Sequence, residues 1–479
     1  MPDERRVTEP AKAAEPEEGS WSELFSGRYG MYTLILNLGV TLFGINQFVV
    51  ATVMPTVVAD LGGMLYYTWA FSLFAVGSII GAAGAGPMRD AVGVRIAYVG
   101  AGLALAVGLA GSALATTMQE LVAWRLVQGI GGGGIASLAY ALVASTFPER
   151  LRSRELSIVS TIWGIATVGG PGVGALFAAP DIWRGAFWSL MVLTIVFSWL
   201  AWRYVEGERG HGDLSRLPYK RLALLALAVL FMSATTLDLG PPLQITLVVC
   251  ALVTAAIAFR RDAAAEHAIF PRKVAVVTDP LGATYWIFFL VSVVLAFTNT
   301  YTTFYLQRLH GIAPFTAGYL FCIQSLMWTV SALFVVNLSS SRLPMAVLAG
   351  AGLLLAASVT VALLVDSGPV LVIALALFVS GTGMGILNNP AIQHIMAVAP
   401  EKERHLAGAS VQAIRNIGIS FGAAASGLVA ASAGLTDTSD RATIAFAMER
   451  VFAVNVVFGL AALALAAWAL RQGARRTSR

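Results

Sequence analysis

From Met31 onward the chain runs as long apolar stretches separated by short clusters of Gly, Pro and charge. Most of these stretches reach about 20 residues, the length a helix needs to cross a hydrocarbon core. Breaking the pattern at those clusters gives spans at 31–58, 65–86, 96–115, 119–146, 155–179, 184–204, 221–237, 243–259, 281–306, 315–338, 343–365, 369–397, 405–433 and 444–470, fourteen helices in all. The pair 221–237 and 243–259 lies near the lower length limit and is split by the turn DLGPPL, with Pro241 and Pro242; if the pair failed to cross, twelve spans would remain. Spanning β-barrels do not fit, because their strands are short and alternate in polarity. The expected fold class is therefore all-α, a polytopic membrane protein.

Composition sharpens this expectation. Of 479 residues 57% are hydrophobic and 12% charged, and the mean hydropathy is +0.76, outside the range of soluble domains. Residues 1–30 mix Asp3, Glu4, Glu15, Glu17 and Glu18 with Arg5, Arg6 and Lys12. They lack the basic start and apolar core of a signal peptide and are expected to form a disordered cytosolic tail. Cys250 and Cys322 sit in apolar runs without metal-ligand neighbours, so no disulfide, metal or cofactor is implied. Arg89 and Arg95, Arg150, Arg152 and Arg154, Arg203 to Arg221, Arg260 to Lys273, Arg342, Lys402 and Arg404, and the basic end 471–479 all fall on one side of the fourteen-span topology. Only Arg184, Arg308 and Arg441 fall on the other. Both termini are thus assigned to the cytosol, and the +5 net charge, spread over short loops of one membrane side, implies no nucleic-acid partner.

Two motifs suggest enzymes and fail on context. Gly129, Gly131 and Gly134 have the G-x-G-x-x-G spacing of a dinucleotide loop, but they lie within an apolar span with no preceding strand and no acid about twenty residues on. Gly129 with Gly133 instead makes the G-x-x-x-G pattern of closely packed membrane helices. Gly418, Ser420 and Gly422 match a nucleophile elbow, yet no histidine follows His405. None of the four lysines completes a phosphate-binding G-x-x-x-x-G-K motif, so no nucleotide partner is expected.

Three further motifs carry a resemblance. GPMRDAVGVR has Gly86, Asp90, Gly93 and Arg95 at the spacing of the loop signature of the major facilitator superfamily, with Ala91 and Val94 at two positions that are usually basic. RLVQGIGG, with Arg125, Gln128, Gly129 and Gly131, resembles that family's fourth-helix motif. GGPGVGA, with Gly170, Pro171 and Gly174, resembles its antiporter motif on the fifth helix, Ala175 replacing the last glycine. The first span ends at Met54 and Pro55 like the branch motif L-D-x-T-I-V-N-V-A-L-P. Together with the central extra pair and Arg415, this resembles the fourteen-helix drug/proton antiporter branch over roughly residues 31–470. The resemblance implies a six-helix bundle at 31–204, a linker with two extra helices at 205–280 and a second bundle at 281–470, with a substrate cavity between the bundles. In that setting Asp90 is expected to gate access by charge-assisted contacts, the alternative being a solvated loop acid, and Pro171 to kink the fifth helix or take part in sealing the cavity.

Charge inside the bilayer is costly and usually functional. Arg125 lies about 9 Å into the fourth span and Arg415 about 15 Å into the thirteenth, at ~1.5 Å per residue. Glu449 is read as the one acid clearly inside a span; it pairs with Arg450 or faces the outer headgroups, the alternative being that it carries the exchanged proton. Asn46 stands where the branch carries its embedded aspartate, and an amide cannot take up a proton. Asn46, Gln47, Gln128 and Asn299 are the expected cavity groups, whereas Tyr285, Trp286, Phe288, Phe289 and Phe297 read as packing. The expected function is a secondary transporter in the inner (plasma) membrane that exports an amphipathic organic compound in exchange for protons. The alternative is a uniporter or other gradient-driven carrier of a neutral or anionic metabolite, followed by a non-transport membrane protein.

Overall fold

The computed structural model describes residues 20–477, apart from 180–181, 208–209, 211–217, 238, 266–267, 336–337, 340–341 and 438. Residues 1–19 of the expected tail therefore lie outside the described residues, as do most of the 208–217 loop and the last two residues of the basic end. Residues 20–30 form a helical turn, Trp21–Leu24, and the start of the first long helix.

In hydrocarbon every backbone N–H and C=O must find a partner within its own segment, and helices are the solution this chain uses throughout. The long helices are α1 Gly27–Leu61, α2 Trp69–Val92, α3 Val94–Leu114, α4 Met118–Thr146, α5 Glu149–Leu176, α6 Arg184–Tyr204 and α7 Tyr219–Ala234. They continue as α8 Pro241–Ala263, α9 Pro280–Arg308, α10 Pro314–Phe334, α11 Leu343–Leu364, α12 Val370–Val398, α13 Arg404–Ser432 and α14 Arg441–Thr477. Among the described residues thirteen helices are long and apolar enough to cross a membrane; α7, with 16 residues, is the long helix that falls short.

Local sequence sets the ends. The Thr117 hydroxyl accepts from Glu120 N at 3.3 Å to open α4, and the Asp279 carboxylate accepts from Leu281 N at 3.1 Å ahead of Pro280 in α9. The DLGPPL turn ends as Pro241 enters the first turn of α8, where a missing N–H costs nothing. Gly93 stops α2 at φ +86°, a left-handed backbone that favours glycine.

Helix pairing repeats. In the first half α1 packs on α5, α2 on α4, α3 on α4, and α3 on α6; in the second α9 packs on α13, α10 on α12, α11 on α12, and α11 on α14. The second set is the first displaced by eight helices, which makes two six-helix bundles with α7 and α8 inserted between them. Both bundles begin and end on one face, here the terminal face: Arg28 at the start of α1 pairs with Glu206 after α6, and Gln472 of α14 lines a cavity with Pro280 of α9. The opposite face is the far face. The α7 helix lies along α2 and α13, with Ser72 and Ser233 hydroxyls 3.1 Å apart, while α8 packs on α7 and exposes Leu243, Ile245, Val249 and Leu252.

The glycine run is a packing seam. A Cβ added at Gly129 would lie 2.1 Å from Phe74 O and one at Gly133 2.2 Å from Ser78 O, so α4 meets α2 backbone to backbone. Gly418 and Gly422 likewise let α13 close on Ser292 and Ala296 of α9.

Candidate functional site

Arg125 is the most buried cation among the described residues. Capping by Thr117 fixes the start of α4 and brings Arg125 into the bundle, where it is 1% exposed. Its Nε donates to Ala70 O of α2 at 3.0 Å, its Nη1 donates to Gln128 Oε1 at 2.6 Å, and the guanidinium lies 4.1 Å from the centre of the Phe74 ring. Gln128 Nε2 then donates to Gly108 O at 3.1 Å and to Ser112 Oγ at 2.6 Å, both on α3. The cation is thus held by carbonyl oxygen, amide oxygen and an aromatic face, and no carboxylate pairs with it among the described residues. This corrects the expectation for Gln128. Its amide is committed to Arg125 and to α3, which makes it a prop for the cation that ties α2, α3 and α4 together rather than a free cavity wall.

Asn46 on α1 is 1% exposed, and neither amide atom has a hydrogen-bond partner. Buried amides are rarely left so, which makes Asn46 a group that a ligand or water would complete. Gln47 and Asn299 are half-buried. Arg415 on α13 is half-buried too; its guanidinium donates to Gln412 and lies 5.7 Å from the centre of the Trp328 ring on α10. On the opposing bundle Phe43 packs edge-on to Trp163 at 6.0 Å. The sequence reading missed Asn388, 8% exposed with its Oδ1 unpartnered, and Asn389 beside it on α12. The signal was present in the run LNNP, two amides in an otherwise apolar span.

Among the described residues, the hydrogen bonds that join the bundles lie in the half of the molecule toward the far face. Tyr67 OH donates to Thr300 O at 3.0 Å, Thr303 Oγ1 to Ala51 O at 2.6 Å, and Cys322 Sγ to Thr167 O at 2.8 Å. Asp437, in the loop after α13, accepts from Gly63 N at 3.0 Å and Met64 N at 2.7 Å in the loop after α1. The glycine–proline motif of α5 sits in this seam. Added Cβ atoms would lie 2.5 Å from Phe48 at Gly170 and 2.9 Å from Thr52 at Gly174, and one at Gly318 of α10 would lie 2.7 Å from Pro171. Pro171 therefore touches the other bundle while α5 stays one continuous helix.

On the terminal face the loop motif is bonded within its own bundle. Asp90 pairs with the adjacent Arg89 at 2.9 Å and is 55% exposed, and Gly86 has open space around it. Arg95 Nε donates to Val205 O at 2.6 Å, which anchors the start of α3 to the end of α6.

Glu449 is exposed on the outer surface of α14, and the neighbouring Arg450 covers the Phe446 ring at 4.7 Å. It faces away from the bundle interior. Two acids are buried among the described residues: Asp262 on α8, 2% exposed and paired with Arg221, and Glu155, at 0% exposure, accepting from Thr33 Oγ1 and Asn37 Nδ2 of α1 at 2.8 Å each. The sequence hid it because Arg150, Arg152 and Arg154 made the segment read as a loop. In fact α5 begins at Glu149, which carries Glu155 about 9 Å into the helix.

Comparison with known proteins agrees with this architecture. The family model described as Major Facilitator Superfamily matches residues 36–423. The chain is 34% identical over 431 residues to a Mycobacterium tuberculosis protein named "Probable multidrug-efflux transporter", covering 86% of this chain and 90% of that one. It is 28% identical over 366 residues to the methylenomycin A resistance protein of Streptomyces coelicolor, covering 74% and 75%. Among solved structures, a bacterial homologue of the human lysosomal transporter Spinster in an inward-facing, unoccupied conformation aligns with a TM-score of 0.68 at 15% identity, covering 93% and 98%. At that identity the likeness is one of fold.

Proposed function

The chain belongs to the Major Facilitator Superfamily, and on that premise we propose that it exports an amphipathic organic compound across the inner (plasma) membrane by alternating access, in exchange for protons. Both termini lie in the cytosol in this reading, as the basic loops of the terminal face require. The observation that carries it is the one-sided seal. Among the described residues, bonds between the bundles gather toward the far face, while Asp90 near the end of α2 pairs within its own bundle. A state sealed on the far face is one that an exporter must pass through to load from the terminal face.

The names of the multidrug-efflux and antibiotic-resistance relatives support the substrate class. Asn46, Gln47, Asn299 and Asn388 would offer amides, and Phe43, Trp163 and Trp328 apolar faces, to a solute with both characters. Arg415 would favour a neutral or anionic group over a cation. Arg125 and Gln128 would hold α2, α3 and α4 as one unit while the bundles rock.

A second reading rests on Asn46. With an amide where the drug/proton branch carries an acid, the protein would be a uniporter or another gradient-driven carrier of a neutral or anionic metabolite. Transport by the purified protein in proteoliposomes, with and without an imposed pH gradient and across cationic, neutral and anionic compounds, separates the two. Accumulation that follows the gradient supports exchange, and equilibration that ignores it supports the carrier. Orientation is checked from outside intact cells, where a cysteine replacing Ser439 on the far face should be labelled and one replacing Lys273 should not.

A further inference from the structure

If this transporter exchanges protons, an acid inside the membrane must change charge, and neither Asn46 nor the outward-facing Glu449 can serve. We propose that Glu155 is the group that takes up and releases the exchanged proton, with Thr33 and Asn37 of α1 as its hydrogen-bonding cradle. The proposal rests on the exchange reading above and names the site that reading lacks.

The geometry singles out this carboxylate. Glu155 is 0% exposed and its two oxygens accept one neutral hydrogen bond each, from Thr33 and Asn37 at 2.8 Å. No cation forms an ion pair with it among the described residues. The cations nearby in sequence or on packed elements are engaged elsewhere: Arg150 with Glu23, Arg28 with Glu206, Arg152 with Phe147 O, Arg95 with Val205 O, and Arg154 against the Trp21 ring. From α3 the titratable group within electrostatic reach is Tyr98, whose buried hydroxyl has no partner and lies against Gly39 of α1. α1 also carries Tyr32, whose hydroxyl accepts from Glu206 N, and Tyr29, whose ring packs on Phe147. On α4 and α6, Tyr140, Arg203 and Tyr204 are exposed.

A buried carboxylate held only by neutral donors is neutralised most simply by a proton. The site is built for both forms. When the carboxylate binds H⁺, the new acid O–H has the Thr33 hydroxyl to donate to, because that hydroxyl can turn from donor to acceptor, and the Asn37 Oδ1 beside it is unpartnered. The same two helices reach the seal, since Gly170 and Gly174 of α5 pack on Phe48, Val49 and Thr52 of α1 near the far face. A proton at Glu155 thus loosens or tightens α1 on α5 at one end of a pair whose other end closes the interface.

The test has two arms on the full-length protein in proteoliposomes. Infrared difference spectra recorded against pH, with no substrate present, should show a titrating buried carboxylic acid in the wild type and in Glu449→Gln, and lose it in Glu155→Gln. In transport, Glu155→Gln should lose gradient-driven accumulation by about tenfold or more while retaining passive counterflow, because a fixed neutral group no longer links protonation to access. Asn37→Ala keeps the acid and should shift the pH at which its band titrates, which covers the case in which Glu155→Gln does not fold. A band that survives in Glu155→Gln, or gradient-driven transport at the wild-type rate, overturns the proposal. Wild-type transport that ignores the gradient overturns the exchange reading instead, and leaves the infrared arm to report on the proton site alone.

Discussion

At the scale of the residue, the Arg125 network shows why a buried cation needs no counter-ion here. Replacing Gln128 by Leu keeps the volume but leaves Nη1 of a 1%-exposed guanidinium without its acceptor and frees Gly108 O and Ser112. An unmet charged donor costs about 2–3 kcal/mol or more, so Gln128→Leu should lower the melting temperature of the purified protein markedly. Gln128→Glu, which adds a carboxylate at the same acceptor, should come closer to the wild type. The glycine run gives a sharper comparison. An added Cβ strikes the Phe74 carbonyl at 2.1 Å from position 129 but at position 134 meets the Ala101 Cβ at 3.1 Å and Gly81 O at 3.8 Å. Gly129→Ala should therefore reduce the yield of folded protein in size-exclusion profiles, whereas Gly134→Ala should leave most of it. Equal losses from the two would remove the packing account. The sequence exposed Arg125, because charge in an apolar run stands out, and Gln128 one turn on. It could not show Ala70, Gly108 or Ser112, which reach the pair from other helices. Glu155 stayed hidden for a related reason: its depth depends on a helix start masked by three arginines.

At the scale of the element, apolar length alone was enough to place nearly all the helices, since a spanning segment has one geometry open to it. Which helices pair was not visible, because pairing depends on small residues meeting across separate segments. The seam of α1, α5 and α10 is the case in point: Gly170 and Pro171 were legible as a motif, but their partners Phe48 and Gly318 were not. A leucine at Gly318 would push α10 away from Pro171 and Thr52, with which even a Cβ collides. Gly318→Leu should weaken the seal without entering either bundle's core. Cys322, now 5% exposed and bonded to Thr167 O, reports on this directly. In a Cys250→Ser background, Gly318→Leu should speed labelling of Cys322 by a membrane-impermeant maleimide added on the far side. An unchanged rate would show that the seam is not what closes that face.

At the scale of the whole molecule, the sequence serves both access states, so the state described here was the least legible feature of all. Two aspartates on opposite faces identify the balance. Asp437 grips two backbone N–H groups of the other bundle on the far face, and Asp90 on the terminal face is paired with its neighbour Arg89. Alternating access requires that one grip breaks as the other forms. Charge-assisted bonds of this kind contribute about 1.5–3 kcal/mol, so removing one should move the ratio of the two states by roughly ten- to a hundredfold. Asp437→Ala should favour the state open to the far face. Asp90→Asn should favour the present one, provided Asp90 engages the second bundle once the terminal face closes. Distances between spin labels at Leu61 and Thr436 on the far face, and at Met88 and Lys402 on the terminal face, would report the two populations. Each single variant should slow transport at equal protein level, because turnover needs both states. The double variant weakens both grips together and should recover part of the rate. A double variant no faster than the slower single would mean that the two aspartates do not act on one equilibrium, and that Asp90 belongs to its own loop alone.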